Sequence, residues 1–203
     1  MTSSDPQLHP IGHACFVAYV ETLADRIAAD DWSPDLLVGI GRGGLVPTVY
    51  LSHRLDRPML SVDYSGATPD RTDALFDDLA VRSRAGVRVL IIDDINDSGG
   101  TIGHIRRTLH EKGGDAANVR FAMLLTNSRS EERVDYWAES IDRETDKRWF
   151  VFPWEALASR QAIVEEALSV PDRLGLTAGY AARRRARKKV AIARDASGPL
   201  GSV

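Results

Sequence analysis

The run Val89-Leu90-Ile91-Ile92-Asp93-Asp94-Ile95-Asn96-Asp97-Ser98-Gly99-Gly100-Thr101 constrains what this chain can fold into more than any other stretch. Four consecutive β-branched or apolar residues, Val89 to Ile92, predict a strand covered on both faces, as in a parallel sheet. Asp97, Ser98, Gly99, Gly100 and Thr101 predict a small turn that leads into a helix over 102–112, capped by Ser98 or Thr101. A turn of this kind aims several main-chain N–H groups at one spot, with the helix dipole behind them, and its glycines carry no Cβ to hold an anion away. It is a phosphate cradle. Asp93 and Asp94 lie roughly one phosphate-to-ribose length from it. They can accept hydrogen bonds from vicinal sugar hydroxyls, directly or through Mg²⁺ and its waters.

A second glycine-rich joint lies upstream. Asp35 to Ile40 reads as a strand and runs into Gly41-Arg42-Gly43-Gly44-Leu45-Val46-Pro47, where Arg42 is the only charge. Three glycines around one arginine let the backbone approach an anion closely while a guanidinium neutralises it. A helix over 45–55 follows, with Pro47 tolerated in its first turn. The third notable run is Trp149-Phe150-Val151-Phe152-Pro153-Trp154-Glu155. The Trp149 indole offers a stacking platform for a flat base, whereas Phe152 and Trp154 read as core.

Further elements fill the intervals. Phe16, Val17, Val20, Leu23, Ala24 and Ile27 mark one face of a helix over 13–29, and Cys15 falls in the same apolar pattern as a packed small residue. Strands are expected over 58–64 and 119–125, Gly113-Gly114 as a helix C-cap, and a last helix over 156–168. The polar stretch 65–79 is too long for an ordinary connection and predicts a mobile loop. Alternating strands and helices imply an α/β fold with a central, mostly parallel sheet, helices on both faces and a small hood. Ligands of such sheets bind at the carboxyl ends of the strands, where all three notable runs sit.

The run from Val89 to Thr101 closely resembles the phosphoribosyl-pyrophosphate (PRPP) motif of type I phosphoribosyltransferases, and Trp149 to Glu155 resembles the hood segment of their xanthine-guanine (6-oxopurine) group. The resemblance implies purine salvage: transfer of ribose 5-phosphate from PRPP to a purine, with Mg²⁺ as cofactor, giving a nucleoside monophosphate and pyrophosphate. It assigns Arg42, Gly43 and Gly44 to the pyrophosphate; Asp93 and Asp94 to the ribose and Mg²⁺; Ser98, Gly99, Gly100 and Thr101 to the 5-phosphate; and Asp97 to PRPP and, as general base, to N7 of the purine. Trp149, with the main chain of Phe150 and Val151, meets the base, and the 65–79 loop closes over the reaction. Where relatives of the xanthine-guanine type carry a lysine aimed at O6, this chain has Asn127, which offers a donor and an acceptor without the charge. The motif alone does not separate enzymes from regulators built on the same fold.

Composition bounds the rest. A chain of 203 residues can bury about 70% of its unfolded surface in one main domain. The expected division is a phosphoribosyltransferase domain with its hood over 1–155 and a helical, basic extension over 156–203. Cys15 is the single cysteine, so no internal disulfide forms and a cytoplasmic setting is the simplest. No apolar run approaches the ~20 residues of a membrane span, so no membrane partner is expected. Five histidines show no metal-ligand spacing. Arg183, Arg184, Arg185, Arg187, Lys188, Lys189 and Arg194 crowd one segment and leave a distinctly acidic body. The alternative function is therefore a regulator of the same fold that binds PRPP or a nucleotide and touches RNA or DNA through this tail. A homo-oligomer, dimer or tetramer, is the expected assembly.

Overall fold

The computed structural model describes residues 6–62 and 69–169. The Arg-rich tail lies outside them. Two compact units emerge. One comprises Ile11–Arg143; the other combines the described residues on either side, up to Pro10 and from Glu144 onward.

The first unit holds α1 (His13–Ala28), β2 (Leu36–Ile40), α2 (Gly41–Leu55), β3 (Met59–Val62), α3 (Pro69–Arg84), β4 (Val89–Asn96), α4 (Gly100–Glu111), β5 (Val119–Asn127) and β6 (Tyr136–Ile141), with β1 (Leu8–Pro10) lying before it in the other unit. Its five strands form one sheet in the order β3-β2-β4-β5-β6, every neighbouring pair parallel. Strands buried on both faces need apolar residues at every position, and Leu36–Ile40 and Val89–Ile92 are all buried. Leu36, Val38, Ile40, Val89, Ile91, Phe121 and Met123 pack with Phe76, Leu79, Ile102, Ile105 and Leu109 of α3 and α4. Helices α1 and α2 pack against the sheet as well, α2 on β2, β3 and β4 and α1 on β5 and β6. Phe16, Val20, Leu23, Ala24 and Ile27 form the buried stripe of α1, as their spacing requires.

Several elements depart from the sequence reading. The expected loop over 65–79 is helical from Pro69, because Phe76, Leu79 and Ala80 supply a buried helical face under a charged exterior; residues 63–68 lie outside the described residues. Strand β6 was not foreseen, its Tyr136 and Ile141 being buried and the intervening residues more open. Cys15 is exposed on the outer side of α1. Helix α4 ends at Gly113-Gly114 as expected: Gly113 (φ 75°) donates its N–H to His110 O (2.9 Å) and Gly114 to Leu109 O (2.8 Å), a Schellman end.

The second unit contains β1 paired in parallel with β7 (Trp149–Val151), a 3-10 turn over Pro153–Glu155, and α5 (Arg160–Ala167), which starts later than the helix expected over 156–168 because Ser159 caps it, its hydroxyl accepting from Ala162 N–H (3.1 Å). Among the described residues no helix is long and apolar enough to cross a membrane.

Candidate functional site

Strand order places the site. From β2 the chain moves out to β3, then crosses back to β4 on the other side of β2 and continues outward to β5 and β6. The carboxyl ends of β2 and β4 therefore flank the point where the winding reverses, the usual ligand crevice of an open α/β sheet. Both glycine-rich runs begin there.

Strand β2 gives way to α2 at Gly41, so Arg42, Gly43 and Gly44 form the first turn of that helix, where a free-standing loop was expected. Arg42 is exposed. Strand β4 runs on past Ile92, the last residue it pairs with β2, through Asp93, Asp94 and Ile95 to Asn96, held there by β5. The acidic pair thus lies on a strand, which was expected to end at Ile92, and faces the turn. A Cβ on Gly43 would collide with the Asp94 carboxylate and come within 2.9 Å of Asp93 Oδ1; one on Gly44 would collide with the Ile92 carbonyl. Only bare backbone lets the α2 turn come this close to two carboxylates.

Asp93 is half-buried, and the N–H of Asp94 donates to its Oδ1 (3.0 Å). Burial, and after it the charge of Asp94, push the Asp93 carboxyl well above the usual carboxylate range; the Asp94 N–H only partly offsets them. Two hard oxygen donors held together at this cost suit Mg²⁺, which takes one or two carboxylates and completes its shell with substrate oxygens and water. Among the described residues no cluster of three or more metal-ligating side chains exists.

The second glycine-rich turn leads into the amino terminus of α4. Its N-cap is Gly99, at φ 91°, with no side-chain cap; the hydroxyl of Ser98 instead accepts from Gly100 N–H (3.3 Å), and Thr101 is a helical residue. Neither Ser98 nor Thr101 is the cap the sequence suggested. A Cβ on Gly99 would stand 2.7 Å from Glu132 N, because the segment after β5 folds over this turn. Asn96 anchors that segment: its Nδ2 donates to Thr126 Oγ1 (3.2 Å) and Glu132 O (2.8 Å), and its Oδ1 accepts from Ser130 Oγ (2.9 Å).

Asp97 is buried, 6% exposed, and its carboxylate is gripped by Arg143, itself 7% exposed. Arg143 Nε lies 3.1 Å from each oxygen and Nη2 lies 3.0 Å from Oδ2. Asn127, the last residue of β5, donates Nδ2–H to the Asp97 carbonyl (3.0 Å) and accepts at Oδ1 from the N–H groups of Arg129 and Arg143 (3.2 Å each). Its amide is engaged by main chain on both sides. Arg143 escaped the sequence reading because it sits among Asp142, Glu144, Asp146, Lys147 and Arg148, which look like a solvated charge run.

Trp149, Phe150 and Val151 constitute β7 of the second unit. Trp149, like Val164, packs against Ala167 and Leu168, and its Nε1–H is buried without a protein partner. Phe150 meets the His9 ring edge-on at 5.6 Å with the Arg148 guanidinium over its face at 5.2 Å. Phe152 and Trp154 stack in parallel at 4.8 Å.

The chain is similar to known proteins. The chain is 28% identical over 140 residues to a xanthine-guanine phosphoribosyltransferase of Ruegeria sp., covering 64% of this chain and 74% of that protein. It is 32% identical over 142 residues to an adenine phosphoribosyltransferase of Rhodospirillum centenum, covering 64% and 82%. The crystal structure of a purine phosphoribosyltransferase from Pyrococcus horikoshii superposes with a TM-score of 0.54 at 23% identity, over 74% of this chain and 96% of that one, and so shares the fold. The family model described as the phosphoribosyl transferase domain matches residues 13–159, a span that takes in both glycine-rich turns and the acidic strand, and the chain belongs to that family.

Proposed function

We infer that the chain is a purine phosphoribosyltransferase: it transfers the 5-phosphoribosyl group of PRPP to a purine nitrogen and releases pyrophosphate. The observation that carries the reading is the approach of Gly43 and Gly44 to Asp93 and Asp94 beside the uncapped start of α4, which gives two anion seats with a diol-binding acidic pair.

The reaction separates charge. As the C1–O bond to pyrophosphate breaks, the ribose gains oxocarbenium character and the leaving group gains negative charge. In our reading Arg42 and the amides of Gly43 and Gly44 receive the pyrophosphate, while Ser98, Gly99, Gly100 and Thr101 hold the 5-phosphate against the positive end of the α4 dipole. Asp93 and Asp94 accept hydrogen bonds from the ribose hydroxyls and would hold Mg²⁺. Bound there, Mg²⁺ supplies charge neutralisation to the departing pyrophosphate. Asp97 is assigned to the purine N7 proton. Trp149 is assigned to the face of the base, with the main chain of Phe150 and Val151 at its edge. Asn127, whose Oδ1 and one amide N–H already meet main-chain partners, is read as part of the frame behind these groups in place of the purine edge that the family resemblance implied. We further propose a cytoplasmic homo-oligomer.

Relatives named for xanthine-guanine and for adenine match the chain at comparable identity, so the base is the quantity to measure. The test is nucleotide formation from PRPP and Mg²⁺ with guanine, xanthine, hypoxanthine and adenine in parallel. Turnover of at least one purine is expected; PRPP binding with no turnover of any of the four would favour a regulator.

A further inference from the structure

Resting on the transferase reading, we propose that Arg143 is a positioning residue for the transfer, acting through Asp97. Three residues at the carboxyl ends of β4, β5 and β6 close a ring. The Arg143 guanidinium holds the Asp97 carboxylate, the Arg143 N–H donates to Asn127 Oδ1, and Asn127 Nδ2–H donates to the Asp97 carbonyl. Asp97 is therefore gripped at its side chain and its main chain by one assembly, which fixes the carboxylate plane relative to the Ser98–Gly100 turn that follows.

The geometry asks for a reason beyond stability. A buried ion pair is often no more stabilising than apolar side chains of the same volume, because both charges must be stripped of water. Here the pair is nearly inaccessible on both sides, 8% and 5% by side chain, and adjoins the phosphate turn and the acidic strand. A carboxylate that must meet a reacting proton at the correct angle gains from such a clamp, since misplacement by about 1 Å can cost about a hundredfold in rate. Asp97→Asn alone would be a confounded test, because it takes a buried negative charge away from the guanidinium.

The decisive experiment combines Arg143→Gln, Arg143→Lys, Asp97→Asn and the double variant Asp97→Asn/Arg143→Gln, each measured for kcat, KM for PRPP and thermal midpoint. If Arg143 positions Asp97, Arg143→Gln lowers kcat by about ten- to a hundredfold with KM for PRPP within about twofold, and Arg143→Lys recovers part of kcat by returning a cation to the carboxylate. The double variant regains the stability lost by Asp97→Asn yet stays as inactive as that single variant. Should Arg143→Gln fail to fold, the Lys and double variants carry the same comparison. Wild-type kcat in Arg143→Gln or Arg143→Lys overturns the inference, as does a double variant that recovers turnover together with stability, for the pair would then be scaffolding alone. Absence of turnover by the wild-type chain with all four purines would instead overturn the transferase reading, and this inference with it.

Discussion

At Gly43 a single hydrogen atom stands where any other residue would carry a Cβ. Gly43 faces the Asp93 and Asp94 carboxylates at a distance that leaves no room for a methyl group. We expect Gly43→Ala to crowd them by about 1–3 kcal/mol and to weaken Mg²⁺–PRPP binding by about tenfold or more, while the fold stays intact; unchanged affinity by calorimetry would separate the turn from the site. Asn127 gives a second test. A lysine there has no acceptor to offer the N–H groups of Arg129 and Arg143, so Asn127→Lys should cost about 1–3 kcal/mol for each one left unmet, read from the denaturation midpoint, with the guanine-to-adenine activity ratio unchanged. A rise in that ratio without loss of stability would put residue 127 at the base. At this scale residue type and spacing foretold where Arg42 to Gly44 and Asp93 to Thr101 lie, at the carboxyl ends of two strands and the starts of two helices. The sequence was silent on Arg143, Asn96 and Ser130, because only the folded chain shows which polar groups lose water and whom they meet.

Among the elements, β2 and β4 are tied at their amino ends by a compact set of bonds. Asp35 and Leu36 donate their N–H groups to Arg88 O (2.8 and 3.1 Å), Arg88 N–H returns a bond to Asp35 Oδ2 (2.9 Å), and the guanidinium meets both carboxylate oxygens at 3.2 Å. The Arg88 side-chain and backbone bonds hold the Asp35 carboxyl below its ordinary value. A depressed carboxyl contributes stability above its unfolded pKa of about 3.9 and loses it as pH falls through the lower folded value. The stability gap between wild type and Asp35→Asn should therefore be constant near neutrality, begin to close below about pH 4, and vanish in stronger acid; a gap independent of pH would mean that Asp35 acts without its charge. The pair is largely exposed, so the gap itself should be small. Elements with continuous or helical-period apolar residues, such as β2, β4, α1 and α4, were legible in the sequence. Helix α3 and strand β6 were not. In α3, Asp73 and Asp77 reach Lys112 of the neighbouring C-cap at 2.8 and 2.7 Å, so its charges read as loop composition although they line a solvated helix face. In β6, Trp137, Ala138, Glu139 and Ser140 are only partly buried or exposed, as suits the outer strand of a sheet.

Across the whole molecule, ligand binding should report on folding. PRPP with Mg²⁺ at about 100 times its dissociation constant would add about 2.7 kcal/mol to the native state, or roughly 5–10 °C in thermal midpoint for a chain of this size. Scanning calorimetry with PRPP should show that rise with Mg²⁺ present and most of it lost with a chelator. A chelator-insensitive shift would remove the cation from the Asp93–Asp94 pair. The strand order that creates the crevice followed from no single run of residues; alternating signals announced a parallel sheet, but which strand lies centrally depends on pairings between distant segments. One asymmetry of the sheet also bears on how such a protein changes over generations. The Asp35–Arg88 bonds sit at one end of β2 and β4, whereas Gly41–Gly44, Asp93, Asp94 and the 97–101 turn sit at the other. Substitutions at the carboxyl rim can therefore accumulate without drawing on the bonds that hold the opposite rim, so the groups that face a ligand can change while the same sheet is inherited.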